Sequence, residues 1–203
     1  MVPKLVDAQA RRTELAEAVW RIVMRDGLEQ ASVRNVAREA GLSMGSLRHF
    51  FTTQSELLGF ALRLVGERIE ERIRAVDTTG DQRAVVRSMI DEMLPLDRPR
   101  RGECEVWLAF TARAVVEPTM AGLRKEIDKS LADAFTTMIR RLADAGALRP
   151  GLDQKVEAER LYALVDGVIL HALLRPGRTS NATAKATVGA HLDEIAPAVA
   201  KER

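Results

Sequence analysis

A chain of 203 residues with 46% hydrophobic and 30% charged side chains is globular, neither a disordered tail nor a small scaffold that needs covalent staples. Aromatic residues make up only 4%, while Ala, Leu, Arg and Glu are abundant, a balance that favours helix over sheet. The net charge of +2 is concentrated: residues 1–53 carry eight basic side chains (Lys4, Arg11, Arg12, Arg21, Arg25, Arg34, Arg38, Arg48) against six acidic ones, and the remainder balances. The excess falls where a polyanionic partner is expected.

The single cysteine, Cys104, excludes an internal disulfide framework and suits a reducing compartment. The opening MVPKLVDAQARR lacks the apolar run of a secretory signal. The longest apolar stretch, Leu161–Leu174, is interrupted by Asp166 and His171 and is too short to span a bilayer. A cytoplasmic setting with no membrane partner is expected.

Helical periodicity runs through the chain and no stretch alternates as a strand would. Asp7 is placed to cap a first helix with Leu15, Ala18, Val19, Ile22 and Val23 on its apolar face, ending at Gly27. Ser32 caps a short segment, Val33–Ala40, broken by Gly41; Ser43 caps a second, running to about Phe51. Thr53 and Glu56 form a capping box that opens a long helix with Leu57, Ala61, Val65, Ile69 and Ile73 in register, and Glu70–Arg74 as a surface pair.

Asp81 caps the next helix, faced by Val85, Met89 and Met93, and Pro95 and Pro99 bracket a turn. Val106, Trp107, Phe110 and Ala114 mark a helix that stops before Pro118. Met120 to Leu142 reads as an amphipathic helix closed by Gly146. Asp153 caps a helix to about Leu174, and Asn181 a last one with Val188, Leu192 and Ile195 on one face. The expected fold is all-α with about nine helices: an N-terminal three-helix domain over 1–52, and a second helical domain over 53–203.

The informative stretch is SVRNVAREAGLSMGSLRHFF, Ser32–Phe51. Two short helices meeting at a glycine turn make a helix-turn-helix, with Ala37 permitting close crossing and Leu42 and Leu47 filling the wedge above Val33 and Val36. With Leu47 inward, Ser43, Met44, Gly45, Ser46, Arg48 and His49 project outward. Small, hydrogen-bonding and cationic groups of this kind suit phosphates and major-groove base edges. The hydroxyl of Ser43 also stands beside free N–H groups at a helix start, a seat for phosphate. Any helical hairpin shares the helix–Gly–helix pattern; the outward face makes the difference.

The longer run VRNVAREAGLSMGSLRHFFTTQSELL resembles the DNA-binding signature of the tetracycline-repressor (TetR) family, carried by Ala37, Gly41, Ser43, Gly45, Phe51 and Glu56-Leu57-Leu58. The resemblance implies a regulator whose Ser32, Arg34, Ser43, Met44, Gly45, Ser46, Arg48, His49, Thr53 and Gln54 meet double-stranded operator DNA. Two departures stand out. Arg48 replaces a common tyrosine and brings a guanidinium able to read guanine, and Gln54 replaces a lysine and weakens a phosphate contact. LPLDRPRRGECEVWLAFTARA and LYALVDGVILHALL further resemble the C-terminal domain of the choline-responsive repressor branch.

Helix Leu161–Leu174 is apolar nearly all round and therefore needs burial on two sides. Leu161, Val165 and Val168, with Leu192 and Ile195 of the last helix, are the expected homodimer interface, and Ala163, Gly167 and Ala172 allow close helix approach. A central core helix in a monomer has the same pattern. Dimerisation sets two readers about one DNA turn (~34 Å) or a multiple apart on a palindrome.

Candidate effector contacts are Met89, Met93, Trp107, Phe110, Phe135, Met138, Tyr162 and Asp166, since Met and aromatic side chains make adaptable pockets. The same stripe also reads as plain core, and Tyr162–Asp166 as a buried hydrogen bond at i,i+4. No Walker A loop, dinucleotide fingerprint, metal-ligand set or cofactor motif occurs, so an enzyme is not expected. The expected function is a repressor released by a small-molecule effector. Alternatives are an effector-independent regulator, a redox-responsive one acting through Cys104 near Arg100 and Arg101, or a helical enzyme or carrier.

Overall fold

The computed structural model describes residues 3–197, which form nine α-helices and no strand. They are α1 (Pro3–Asp26), α2 (Val33–Glu39), α3 (Met44–Arg48), α4 (Gln54–Ala75), α5 (Gln82–Asp91), α6 (Arg98–Val116), α7 (Ala121–Asp144), α8 (Gln154–Leu174) and α9 (Asn181–Ile195). Short 3-10 turns precede α2 (Leu28–Gln30) and α7 (Pro118–Met120).

Most helix starts obey the capping rules, because a side-chain oxygen must meet N–H groups that the helix itself leaves unpaired. Ser32 accepts from Asn35 N–H, Ser43 from Ser46 N–H, Asp81 from Arg83 N–H, and Asp153 from Lys155 and Val156 N–H. At α4 the capping box is complete: Thr53 Oγ1 accepts from Glu56 N–H (3.1 Å), and Glu56 accepts from Thr53 N–H (3.4 Å). Glu56 also takes the N–H (2.6 Å) and hydroxyl (2.9 Å) of Thr52, and these bonds hold its carboxyl below the usual range.

Four local expectations need correction. The first helix starts at Pro3, so Asp7 lies inside it and does not cap it. Pro99 is the second residue of α6, where a missing N–H costs nothing, rather than part of a turn. Ser180, not Asn181, caps α9; Asn181 is its first residue, and its amide donates to Leu96 O. The reader α3 ends at Arg48 rather than near Phe51, since the chain turns back with Phe50 N–H and Phe51 N–H both on Leu47 O.

The chain divides into two compact units, and the division falls within α4 and α6. Residues up to Arg68 group with Glu105–Met120; Ile69–Cys104 group with the chain from Ala121 onward. The first unit buries Leu15, Val19 and Ile22 of α1, Val36, Ala37 and Leu47 of the hairpin, and Leu57, Ala61 and Val65 of α4. The Arg68 guanidinium lies 4.3 Å above the Trp20 ring, tying α4 to α1 by a cation–π contact.

In the second unit α7, α8 and α9 pack together around Phe135, Ile139, Leu142, Leu161, Val165, Leu192 and Ile195, all buried. An ion cluster joins the ends of α4, α5 and α6. Arg72 is bidentate to Glu103 (2.9 and 2.6 Å) and also reaches Glu92 (3.0 Å), while Arg100 meets Glu92 (3.2 Å) and Asp97 (2.8 Å). Glu103 is 3% exposed, so the fork of Arg72 supplies the charge that its burial demands.

Candidate nucleic-acid interface

The hairpin Ser32–Phe51 is built as the sequence requires. Gly41 has φ +65, and the turn is a Schellman motif: Leu42 N–H reaches Ala37 O (2.8 Å) and Gly41 N–H reaches Arg38 O (3.2 Å). Only glycine takes that backbone conformation without strain. Val36, Ala37 and Leu47 are buried in the wedge, while Val33 and Leu42 remain half-buried.

The same packing exposes the opposite face. Arg34, Ser43, Met44, Gly45, Ser46, Arg48, His49 and Thr53 are exposed, and Ser32 is half-buried with its hydroxyl committed to the α2 cap. The charges in this unit are sorted. Arg21 and Arg25 are spent on Glu39 (2.9 and 3.0 Å), which holds that carboxyl below its usual range, and Arg38 is tied to Asn35 (3.1 Å). The side chains of Arg34, Arg48 and His49 form no hydrogen bond or ion pair among the described residues. Arg34 and Arg48 thus leave guanidinium groups free on this exposed surface, the arrangement a phosphate backbone attracts.

Gln54 behaves differently. Its amide donates to Ala31 O (2.9 Å), closing the α4 start onto the loop before α2. Phe51 packs against Phe60 of α4, with centroids 4.9 Å apart. Phe50, 37% exposed beside His49, is an apolar group on this surface that sequence reasoning missed; two consecutive phenylalanines at a helix end cannot both turn inward.

The effector candidates fall in both units. Trp107 and Phe110 belong to the first; Met89, Met93, Phe135, Met138, Tyr162 and Asp166 belong to the second. Within the second unit, Phe135 of α7 stacks on Tyr162 of α8, with centroids 5.0 Å apart and planes at 16°. The side chains of Tyr162 and Asp166 form no hydrogen bond to each other among the described residues, so the expected side-chain bond at i,i+4 is absent. Burial, then the charges of Asp128 and Glu159, push the Asp166 carboxyl up to about 6. Cys104 is buried and its thiol donates to Met93 O (3.5 Å), the setting of an ordinary helix residue.

Leu161, Val165, Val168, Leu192 and Ile195 were expected at a dimer face, and the structure corrects this. All five are buried within the single chain, because α7 and α9 already cover that side of α8. The side of α8 left open is another stripe: Val156, Arg160, Ala163 and Leu174 are exposed, with Gly167 and Leu170 half-buried between them. Among the described residues no helix is long and apolar enough to cross a membrane, and no three metal-ligating side chains cluster.

Residues 82–197 match the C-terminal domain of BetI-type transcriptional repressors, and the chain is 40% identical over 196 residues to the HTH-type transcriptional regulator PksA of Bacillus subtilis (strain 168), covering 96% of this chain and 94% of that one. The chain belongs to the BetI-type branch of the TetR family of transcriptional regulators. Among solved structures, a transcriptional regulator from Rhodococcus sp. Rha1 superposes with a TM-score of 0.76 at 29% identity, covering 93% of this chain and 99% of that one. A regulator from Saccharomonospora viridis in complex with choline has the same fold, with a TM-score of 0.72 at 24% identity, covering 92% and 95%.

As a TetR-family regulator the chain is a DNA-binding protein and not an enzyme, and its all-helical architecture is that of the family. BetI-type membership fixes the class of the second unit, while the residues that set operator and effector choice are this chain's own.

Proposed function

We propose that this regulator acts in the cytoplasm as a homodimeric repressor of a palindromic operator and is released by a small-molecule effector. The carrying observation is the exposed surface of the hairpin: Arg21 and Arg25 are paired with Glu39, while the side chains of Arg34, Arg48 and His49 have no partner among the described residues. Ser32, Arg34, Ser43, Met44, Gly45, Ser46, Arg48, His49 and Thr53 meet the DNA; Gln54 supports them from inside through Ala31. Residues 1–52 are the reader and the chain from Thr53 onward senses and dimerises.

The partner in the dimer is a second copy, seated on the open stripe of α8. Ala163 and Gly167 allow two such helices to approach closely, and a Cβ added at Gly167 meets nothing within 4 Å. The effector binds in the second unit near Phe135, Tyr162 and Asp166, with Met89, Met93 and Met138 as adaptable apolar surroundings. The stacked rings and the carboxylates of Asp128, Glu159 and Asp166 favour a small, positively charged molecule; the choline held by the Saccharomonospora relative is of that class. Release requires that the effector prefer the conformer that does not fit the operator.

The test is a gel shift of the full chain on the region upstream of its own gene, with Arg48→Ala alongside and light scattering for mass. Retardation of a palindromic fragment by a dimer, reversed by a cationic metabolite, is expected. A monomer, or a chain that retards no genomic fragment at low salt, overturns the proposal.

A further inference from the structure

The five residues of α3 have a fixed roll, because Leu47 is fully buried and the other four are exposed. At about 100° per residue, Gly45 and His49 point furthest from Leu47. Met44 and Arg48 then share one flank of the outward face, an i,i+4 pair separated by ~6 Å along the axis. That rise matches about two base-pair steps of ~3.4 Å.

Three features of this face have no use within the chain. Met44 leaves an unbranched apolar side chain 37% exposed among serines, a glycine and cations. Arg48 has no partner among the described residues, though every arginine facing α2 from α1 finds one. Gly45 is the second residue of the helix, where residues with a side chain have the better helix propensity. Its surroundings do not demand it: a Cβ there meets only Ser43 Oγ, at 3.8 Å. A glycine that the fold does not need, at the outward pole of the helix, is explained by something outside the chain coming close.

We propose that Arg48 and Met44 together read a guanine and a thymine C5-methyl lying within two base steps of each other in each operator half-site, and that Gly45 sets the depth at which they do so. The guanidinium matches the O6 and N7 acceptors of guanine, and the thioether chain matches the methyl group that distinguishes thymine in the major groove. This rests on the operator-binding reading above and adds the chemistry of the bases read.

The experiment begins with selection of bound duplexes from a randomised pool by the full chain at fixed salt. In the enriched half-site, deoxyuridine then replaces thymine, removing only the methyl, and 7-deazaguanine replaces guanine, removing only N7. Affinity is read by fluorescence anisotropy. The deoxyuridine duplex is expected to bind roughly fourfold more weakly per half-site, from the lost burial of one methyl, and the 7-deazaguanine duplex about tenfold more weakly.

Met44→Ala removes the sensitivity to deoxyuridine alone and Arg48→Ala that to 7-deazaguanine alone. Gly45→Ala weakens every duplex while its melting temperature stays at or above that of the parent. If both base analogues bind like the natural duplex, or if either alanine variant keeps the sensitivity assigned to it, the inference is overturned and operator binding stands. Enriched sites without a guanine and a thymine that close overturn it in the same way, and a pool with no enrichment overturns both readings.

Discussion

The hydroxyl of Ser55, in the first turn of α4, donates a hydrogen bond to the carboxylate of Glu117, which lies just beyond the end of α6 and also accepts from Arg113 Nε (2.6 Å). Ser55 lies within the capping box that opens α4, and α4 carries Phe60 against Phe51 behind the reader. The bonds from Ser55 and Arg113 hold the Glu117 carboxyl below its usual range, so it is ionised at neutral pH.

Glu117→Ala is therefore expected to loosen the seat of α4 and weaken operator binding by a factor of a few, with Glu117→Gln in between because its amide oxygen can still accept. Titration of a fluorescent operator measures this. An alanine variant that binds as tightly as the parent shows that Glu117 does not position the reader.

The Arg72–Glu103 pair yields a stability prediction. Arg72→Met strands a carboxylate that is 3% exposed. The expected loss is roughly 3 kcal/mol, the low end for a broken buried pair because the Arg72 side chain keeps 30% of its surface in water. The double variant Arg72→Met with Glu103→Met should recover most of it, since neither charge remains to be desolvated. Urea unfolding of the three proteins decides; a double variant no better than the single one contradicts the account.

Asp166 carries a raised pKa, about 6 in the folded chain against an ordinary 3.8, so its folded form holds a proton that the unfolded chain releases between those values. Its share of stability is present below about pH 4 and is lost as pH rises through about 6. Asp166→Asn is expected to raise the melting temperature at pH 7.5 and leave it nearly unchanged at pH 4. Equal shifts at both pH values would exclude ionisation as the cause.

His191 has the opposite sign. Its Nε2 is buried without a hydrogen-bond partner, 4.0 Å from Glu157 Oε2, and Glu157 itself is bound by Arg160 (2.9 Å). Burial first, then the Arg160 charge, lower its pKa against the raising effect of Glu157 and Glu194. The unfolded chain takes up a proton near pH 6.5 that the folded chain refuses, so stability falls on acidification below that value. Thermal melts of His191→Gln should show a shallower slope between pH 7 and 5 than the parent, and an unchanged slope refutes the assignment.

A dimer seated on the open stripe of α8 predicts that Gly167→Glu yields a folded monomer. A Cβ added there meets nothing within 4 Å in its own chain, and in the proposed dimer the glutamates would place like charges across the two-fold axis. Circular dichroism and sedimentation measure the two halves of the statement, and a dimeric variant sinks this placement.

The hairpin was legible because each of its parts has a local cause: a hydroxyl at each cap, a glycine at the turn, an apolar residue in the wedge. Helix limits followed from the same rules and failed where two residues compete for one role, as with Ser180 and Asn181. The long-range uses of polar groups left no trace in the sequence. That Gln54 turns inward to Ala31, or that Arg72 spans 31 positions to Glu103, is decided by tertiary packing. The apolar character of α8 announced burial, but composition cannot tell which residues face the chain's own core when both sides are apolar. Assignment of Leu161, Val165 and Val168 to the outer side failed for that reason.

The two faces of α8 do not share residues. In the dimer proposed above, substitutions at Val156, Ala163, Gly167 or Leu174 leave the buried residues that hold the chain together untouched, so pairing can drift while folding is conserved. A duplicated gene has only to change this stripe for its product to cease mixing subunits with the original, and two sister regulators then answer separate signals in one cell.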